Sequence, residues 1–278
     1  MTPQVIQYRE SRLSIEDGIA VFSHEAPKAR NALSLDLRQD YAEMLDRIEV
    51  DRTVRVLVIT GSGGSFCAGG DIKSLKERLG STDPELNSPN AMRRRMRTLH
   101  GWLARLRNLE IPVIAAVDGP AYGAGFAISL LADFVLASSR ASFCMSFAKI
   151  GLVPDSGAMY TLPRVVGMQK AKELLFTARR VDADEALELG IVHSIHSPEA
   201  LHERALAFAR LFLQAPRDAM AMAKNLLNKT FETAYDTHVE MEGLAQGVVS
   251  VTPYHDGAIA RFLNGEASLL DWDRDSKA

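Results

Sequence analysis

The sequence predicts an α/β protein, with a core of alternating strands and helices followed by a helical C-terminal unit. Three observations carry this reading. Residues 55–60 and 112–117 are continuous apolar runs, the look of strands covered on both faces, as in a buried parallel sheet. Each run leads through glycines and small residues into a helical pattern. From residue 198 to 263 the pattern is helical almost throughout, so we place the core at residues 1–200 and the helical unit at 201–278.

Taken in order, residues 4–25 hold short apolar runs, including Ile19-Ala20-Val21-Phe22, that suit strands near a sheet edge. After a turn at Pro27 to Arg30, Leu33, Leu37, Tyr41, Leu45 and Ile48 recur at helical spacing. The strand at 55–60 runs into the glycine-rich loop 61–70. Residues 80–90 are turn-formers without periodicity and predict a mobile surface loop. A helix over 90–108 places Met92, Met96, Leu99, Leu103 and Leu106 on one face. The strand at 112–117 leads through Asp118-Gly119-Pro120 and Gly123-Ala124-Gly125 into a helix ending near Asp133. Residues 134–137 give a third strand and 142–146 a short extended piece. Asp182 and Glu185 fit a capping box for the helix that stops at Gly190. No tandem repeat or low-complexity tract interrupts this order.

The bulk numbers exclude several classes. With 278 residues, 47% of them hydrophobic, the chain can fill one large core or two modest ones. A net charge of −3 gives no global field that favours nucleic acid or an anionic membrane. Cys67 and Cys144 cannot supply a disulfide framework, which points to a reducing compartment. The first residues lack the layout of a secretion signal, and no apolar run reaches the roughly eighteen residues of a membrane span. The expectation is a cytoplasmic protein without nucleic-acid or membrane partners.

Two segments share one design, a buried strand that ends in small residues just before a helix. They are Phe66-Cys67-Ala68-Gly69-Gly70-Asp71 and Asp118-Gly119-Pro120-Ala121-Tyr122-Gly123-Ala124-Gly125. Small residues let a ligand approach the backbone, and the amides at a helix start lack intrahelical acceptors. Two such sites facing each other would make a two-donor oxyanion hole. A tight strand-to-helix turn is the plainer account of either segment alone.

At these residues a resemblance becomes specific. Pro27-Lys28-Ala29-Arg30-Asn31-Ala32-Leu33, Ser65-Phe66-Cys67-Ala68-Gly69-Gly70-Asp71-Ile72, Ile111-Pro112-Val113-Ile114-Ala115-Ala116-Val117-Asp118-Gly119, Phe147-Ala148-Lys149-Ile150-Gly151-Leu152-Val153-Pro154 and Ala186-Leu187-Glu188-Leu189-Gly190-Ile191-Val192 stand in the order of the crotonase (enoyl-CoA hydratase/isomerase) superfamily, which the chain resembles over residues 5–265. The resemblance implies a spiral of ββα units, C-terminal helices that pack trimers or pairs of trimers, an acyl-coenzyme A thioester as substrate, and neither metal nor redox cofactor. It implies Ala68 and Ala124 as oxyanion-hole residues acting through their amides. It also implies Lys28, Ala29, Asp71 and Ile72 at the adenine and ribose end of coenzyme A, with Lys28 and Arg30 as phosphate contacts or solvated surface charge. The apolar positions Leu206, Phe208, Leu211, Phe212 and Leu213 exceed one helix face, and the resemblance implies their burial between subunits.

The sequence also departs from the resembling hydratases. Their two water-activating glutamates fall at Ala127 and Phe147 here, which makes simple hydration doubtful. Asp155 matches the acid of Δ3,Δ2-enoyl-CoA isomerases, and the segment around it resembles ring-1,2-epoxyphenylacetyl-CoA isomerases; capping of a helix after Pro154 is its plainer role. An aspartate at that position with a histidine at His100 also resembles 4-halobenzoyl-CoA dehalogenases, although the tryptophans of that family are replaced by Leu99 and Phe147. A helical histidine is more often a packing or surface residue. Cys67 reads as packing, and Arg93, Arg94, Arg95 and Arg97 as a solvated helix face. A third class, superfamily members that bind RNA or serve assembly, is disfavoured by the acidic balance and the retained Asp155. The acyl group stays open, because the pocket draws on residues 72–100, the least patterned stretch.

Overall fold

The computed structural model describes residues 3–270 and Trp272; the outermost ends of the two expected units lie outside these. The chain opens with the antiparallel strands β1 (Gln4–Gln7), β2 (Ser11–Glu16) and β3 (Ile19–His24). Helix α1 (Leu35–Val50) follows, capped by the Ser34 hydroxyl, which accepts from the Leu37 amide at 3.0 Å. Next come β4 (Val56–Gly61), α2 (Ile72–Leu79) and α3 (Pro89–Arg107), the last with Ser88 as cap and proline in its first turn. β5 (Val113–Val117), β6 (Pro120–Tyr122), α4 (Ala124–Ser129), β7 (Phe134–Ser138) and β8 (Ser142–Cys144) continue the core. α5 (Ala158–Val166), α6 (Met168–Thr177), β9 (Val181–Asp182), α7 (Ala183–Glu188) and β10 (Ser194–His196) complete it. The tail is helical: α8 (Leu201–Arg210), α9 (Arg217–Leu227), α10 (Tyr235–Val249) and α11 (Pro253–Leu263).

A seven-stranded sheet runs β1-β2-β3-β4-β5-β7-β10, parallel from β3 onward, and a three-stranded sheet runs β6-β8-β9. The continuous apolar runs now have a physical reason. Leu57 and Ile59 of β4, Val113, Ala115 and Val117 of β5, and Val135 and Ala137 of β7 enter the main core. Their alternates Val56, Val58, Ile114, Ala116 and Leu136 enter a second core beneath α8. Both faces are covered, so strict alternation would bury polar groups, and each of the larger side chains (Val, Leu, Ile) contributes about 1.5–3 kcal/mol.

The structure adds one helix to the sequence reading, keeps one loop and corrects one expectation. Residues 72–79 form a short helix with Ile72, Leu75 and Leu79 along one side, although none of its residues is buried. Residues 81–88 are the largely exposed, irregular loop the sequence predicts, and the Asn87 side-chain amide donates across it to the Leu79 and Ser81 carbonyls at 3.2 Å each. Leu206, Phe208, Leu211, Phe212 and Leu213 pack against the sheet of their own chain, Phe134 meeting Phe208 and Phe212 with ring centroids 5.0 and 5.5 Å apart. The surplus of apolar positions in α8 and the three residues after it therefore packs on an intrachain core. Further along the tail, α10 and α11 leave apolar side chains such as Leu244, Val248 and Phe262 exposed.

Candidate active site

The loops after β4 and β5 lie backbone against backbone. Cys67 bridges Ala121 in parallel register, the amides of Phe66 and Cys67 both donate to the Pro120 carbonyl at 3.1 Å, and Tyr122 N–H returns to the Cys67 carbonyl at 2.9 Å. Only glycine permits this approach. A Cβ on Gly125 would sit 2.1 Å from the Cys67 oxygen, and one on Gly119, where φ is +67°, 2.1 Å from the Gly64 oxygen.

A second set of contacts fixes the first loop from behind. Asn31, held at φ 53°, donates its side-chain amide to the Ser62 and Ser65 carbonyls at 2.9 and 2.6 Å. The buried His24 places Nδ1 2.8 Å from the Phe66 carbonyl oxygen and Nε2 2.7 Å from the Tyr41 hydroxyl. The carbonyl can only accept, so Nδ1 carries the proton and Nε2 accepts from Tyr41. Burial pushes the His24 pKa down to about 4, which keeps the ring neutral. Cys67 is buried too, and burial pushes its thiol up to about 11, consistent with packing.

These loops open onto a cavity of about 720 Å³. It brings together Ala68, Gly70, Asp71 and Ile72 from the first loop, Ala124 from the second, Met92, Met96, Leu99 and His100 from α3, and Phe147 and Asp155 from the segment before α5. Helical spacing on α3 explains its share, because 92, 96, 99 and 100 fall on one stripe beside the core-facing Trp102, Leu103 and Leu106.

Not every residue named from the sequence takes the place expected. The amide of Ala68 donates to the Arg30 carbonyl at 3.0 Å and is committed to the loop's own structure. Ala68 is therefore not an oxyanion donor. The amides of Gly70 and Ala124 have no acceptor among the described residues, and both residues line the cavity. Gly70 is the residue the sequence reading missed; the signal was its place directly before Asp71, whose carboxylate caps α2 through the Lys73 amide at 3.0 Å. Ser74 donates to the same carboxylate and holds its pKa below the ordinary value, against the effect of burial.

Asp155 does not cap α5. Gly157 stands at the cap position without a side-chain bond, while Asp155 Oδ1 accepts from the Ser156 hydroxyl at 2.9 Å. His100 is exposed at the cavity edge. Phe147 lines the cavity and Ala127 is buried in the core, so neither hydratase-glutamate position carries a carboxylate. Lys28, Ala29 and Arg30 form an exposed turn that does not line the cavity; the Arg30 carbonyl, accepting from Ala68, ties this turn to the first loop. Arg38 from α1 and Arg78 from α2, which nothing in the spacing singled out, line the cavity together with Arg95, whose neighbours Arg93, Arg94 and Arg97 are exposed.

Comparison with known proteins agrees with this geometry. Residues 14–257 match the enoyl-CoA hydratase/isomerase family. The chain is 31% identical over 249 residues to a 1,2-epoxyphenylacetyl-CoA isomerase of Escherichia coli K12, covering 90% of this chain and 93% of that protein. It is 30% identical over 273 residues to 4-chlorobenzoyl coenzyme A dehalogenase-2 of an Arthrobacter species, covering 96% of each. A crystal structure of an enoyl-CoA hydratase/isomerase from Cupriavidus metallidurans CH34 superposes with a TM-score of 0.90 at 38% identity, over 95% of this chain and 97% of that one. With the parallel-dominated sheet, the interlocked glycine loops and these likenesses together, the chain belongs to the enoyl-CoA hydratase/isomerase family and has the crotonase fold.

Proposed function

We propose that this protein is an acyl-coenzyme A isomerase, in which Asp155 moves a proton between two carbons of a thioester polarised by the amides of Gly70 and Ala124. The observation that carries this reading is the company Asp155 keeps. It shares one cavity with two unpartnered amides and, unlike Asp71, is not spent on a helix cap.

With the thioester carbonyl between the two amides, the α-proton becomes more acidic and the enolate is held as it forms. For a 3-enoyl thioester, Asp155 takes a proton from C2, the electron pair spreads over C4, C3, C2 and the carbonyl, and the proton returns at C4. The product is the 2-enoyl thioester. Atoms and charge balance with one base and two donors, so the reaction needs neither water nor a metal or redox cofactor. Apolar Phe147 and Ala127 leave no carboxylate pair to hold the water that hydration needs.

The likeness to a chlorobenzoyl-CoA dehalogenase supports a second reading, and His100 on the same cavity is the observation that favours it. Asp155 would then act as a nucleophile and His100 as a base. Leu99 and Phe147 offer no N–H to orient the aspartate for attack, which favours the isomerase. Two assays decide between isomerisation and hydration. Purified protein should convert 3-enoyl-CoA to 2-enoyl-CoA and hydrate crotonyl-CoA poorly; efficient hydration would overturn the reading.

We place the protein in the cytoplasm, which its two buried free thiols suit. We propose a trimer or a dimer of trimers, joined through the apolar surface of α10 and α11, where Leu244, Val248, Phe262 and Leu263 are exposed in the single chain.

A further inference from the structure

Three guanidinium groups converge on the cavity from three helices, Arg38 from α1, Arg78 from α2 and Arg95 from α3. None of them forms an ion pair among the described residues, although Arg9, Arg105 and Arg179 elsewhere each reach two carboxylates. The Nε atoms of all three are buried without a hydrogen-bond partner. A buried donor left without an acceptor is destabilising, and like charges in a poorly solvated site add to that. Burial lowers the pKa of Arg38; Asp155 opposes this, and Arg78 and Arg95 reinforce it, so the three cations stand within reach of one another. Asp71 and Asp155 are the carboxylates among the residues lining this cavity, and Asp71 is committed to the start of α2.

We propose that Arg38, Arg78 and Arg95 form an anion-recognition subsite for a carboxylate on the acyl group, so that the preferred substrates are coenzyme A monothioesters of dicarboxylic acids. The subsite rests on the acyl-CoA reading above. A planar guanidinium pairs with a carboxylate through two parallel N–H···O bonds, and an incoming carboxylate would satisfy donors that the free protein leaves unmatched. The phosphates of coenzyme A are the other source of the same chemistry. Location favours the acyl group, because of the two cavity carboxylates it is Asp155 and not Asp71 whose charge acts more strongly on Arg38, and the apolar Met96 and Leu99 line the same cavity.

Unreactive thioethers separate the two sources without turnover. S-(5-carboxypentyl)-CoA, S-hexyl-CoA and free coenzyme A should be titrated calorimetrically into the wild-type protein and into the Arg38→Gln/Arg95→Gln variant. Arg78→Gln provides a second variant on an exposed helix. The wild type should bind the carboxylated thioether at least about tenfold more tightly than the hexyl one, equivalent to about 1.4 kcal/mol. Both variants should lose that preference and bind free coenzyme A as the wild type does. Equal wild-type affinity for the two thioethers would overturn the proposal. So would a variant that loses affinity for free coenzyme A as strongly as for the carboxylated thioether, since the arginines would then serve the phosphates. Loss of isomerase activity as the explanation of the site would leave this binding preference untouched, so the two readings fail separately.

Discussion

The amide of Ala68 donates to the carbonyl oxygen of Arg30 at 3.0 Å, and this bond decides which amides are left for a substrate. It anchors the loop after β4 to the turn before α1, two residues short of Gly70, whose amide is left without an acceptor among the described residues. Ala124, at the first position of α4, is the counterpart on the second loop.

The oxyanion hole should therefore depend on backbone at residues 70 and 124. A Cβ on Gly70 meets nothing within 4 Å, so Gly70→Ala should keep most activity, whereas Gly70→Pro removes the N–H and should cost on the order of 100-fold in kcat. Ala124→Pro should cost a similar factor in a folded protein, because the first helical position tolerates proline. Steady-state kinetics and circular dichroism on the three variants check this; an undiminished kcat in either proline variant places the hole elsewhere.

Acid should weaken the fold through His24. Its pKa is about 4 in the folded chain against 6.5 for a free histidine, so an unfolded chain takes up the proton first as pH falls. The stability from keeping this ring neutral is fully present above pH 6.5 and is lost as pH falls to about 4, a change of about 3 kcal/mol. Urea midpoints at fixed protein concentration should fall across that window in the wild type and change less in His24→Gln. Parallel slopes for the two proteins would remove His24 as the cause.

The apolar surface of the tail should be covered by a second copy of the chain. Tyr235 and Phe262 are each 81% exposed and Leu244 is 73% exposed, more than a helical tail leaves bare without a partner. Light scattering at micromolar concentration should give three or six times the chain mass, and Leu244→Glu together with Phe262→Glu should lower it. A monomeric wild type would contradict the assembly.

How much of this was legible beforehand followed from what each residue packs against. β4 and β5 announced themselves because both faces are buried, and α7 because Asp182 accepts from the Glu185 amide as a capping box requires. Helix α2 went unread although Ile72, Leu75 and Leu79 stand at helical spacing, because eight residues facing a cavity and the surface make too short a run to stand out. α5 and α6 were missed because Pro163 lies within one and Gly167 separates the two, so neither shows a long period. The candidate site was legible as a pair of glycine loops and one aspartate, which the cavity brings together. Which amide stays free was not, because the partner of Ala68 is Arg30, thirty-eight residues earlier. The three cavity arginines were hidden for the same reason: they come from three helices and share no spacing.

His100 separates the two chemistries. An isomerase has no step for it, so His100→Gln should change isomerisation only slightly, consistent with its exposed place at the cavity edge. If both His100→Gln and Asp155→Asn abolish halide release from a 4-halobenzoyl-CoA that the wild type dehalogenates, the dehalogenase reading replaces the isomerase.

The most direct measurement is the rate of 3-enoyl-CoA to 2-enoyl-CoA isomerisation by Asp155→Asn. The asparagine keeps the shape and the bond from the Ser156 hydroxyl but cannot take a proton. In the proposed reaction Asp155 carries both the removal at C2 and the return at C4, so kcat should fall by at least about 100-fold while the affinity for an unreactive thioether stays within a small factor. An Asp155→Asn enzyme that isomerises at the wild-type rate would show that the proton moves through another group, and the proposed function would fall with it.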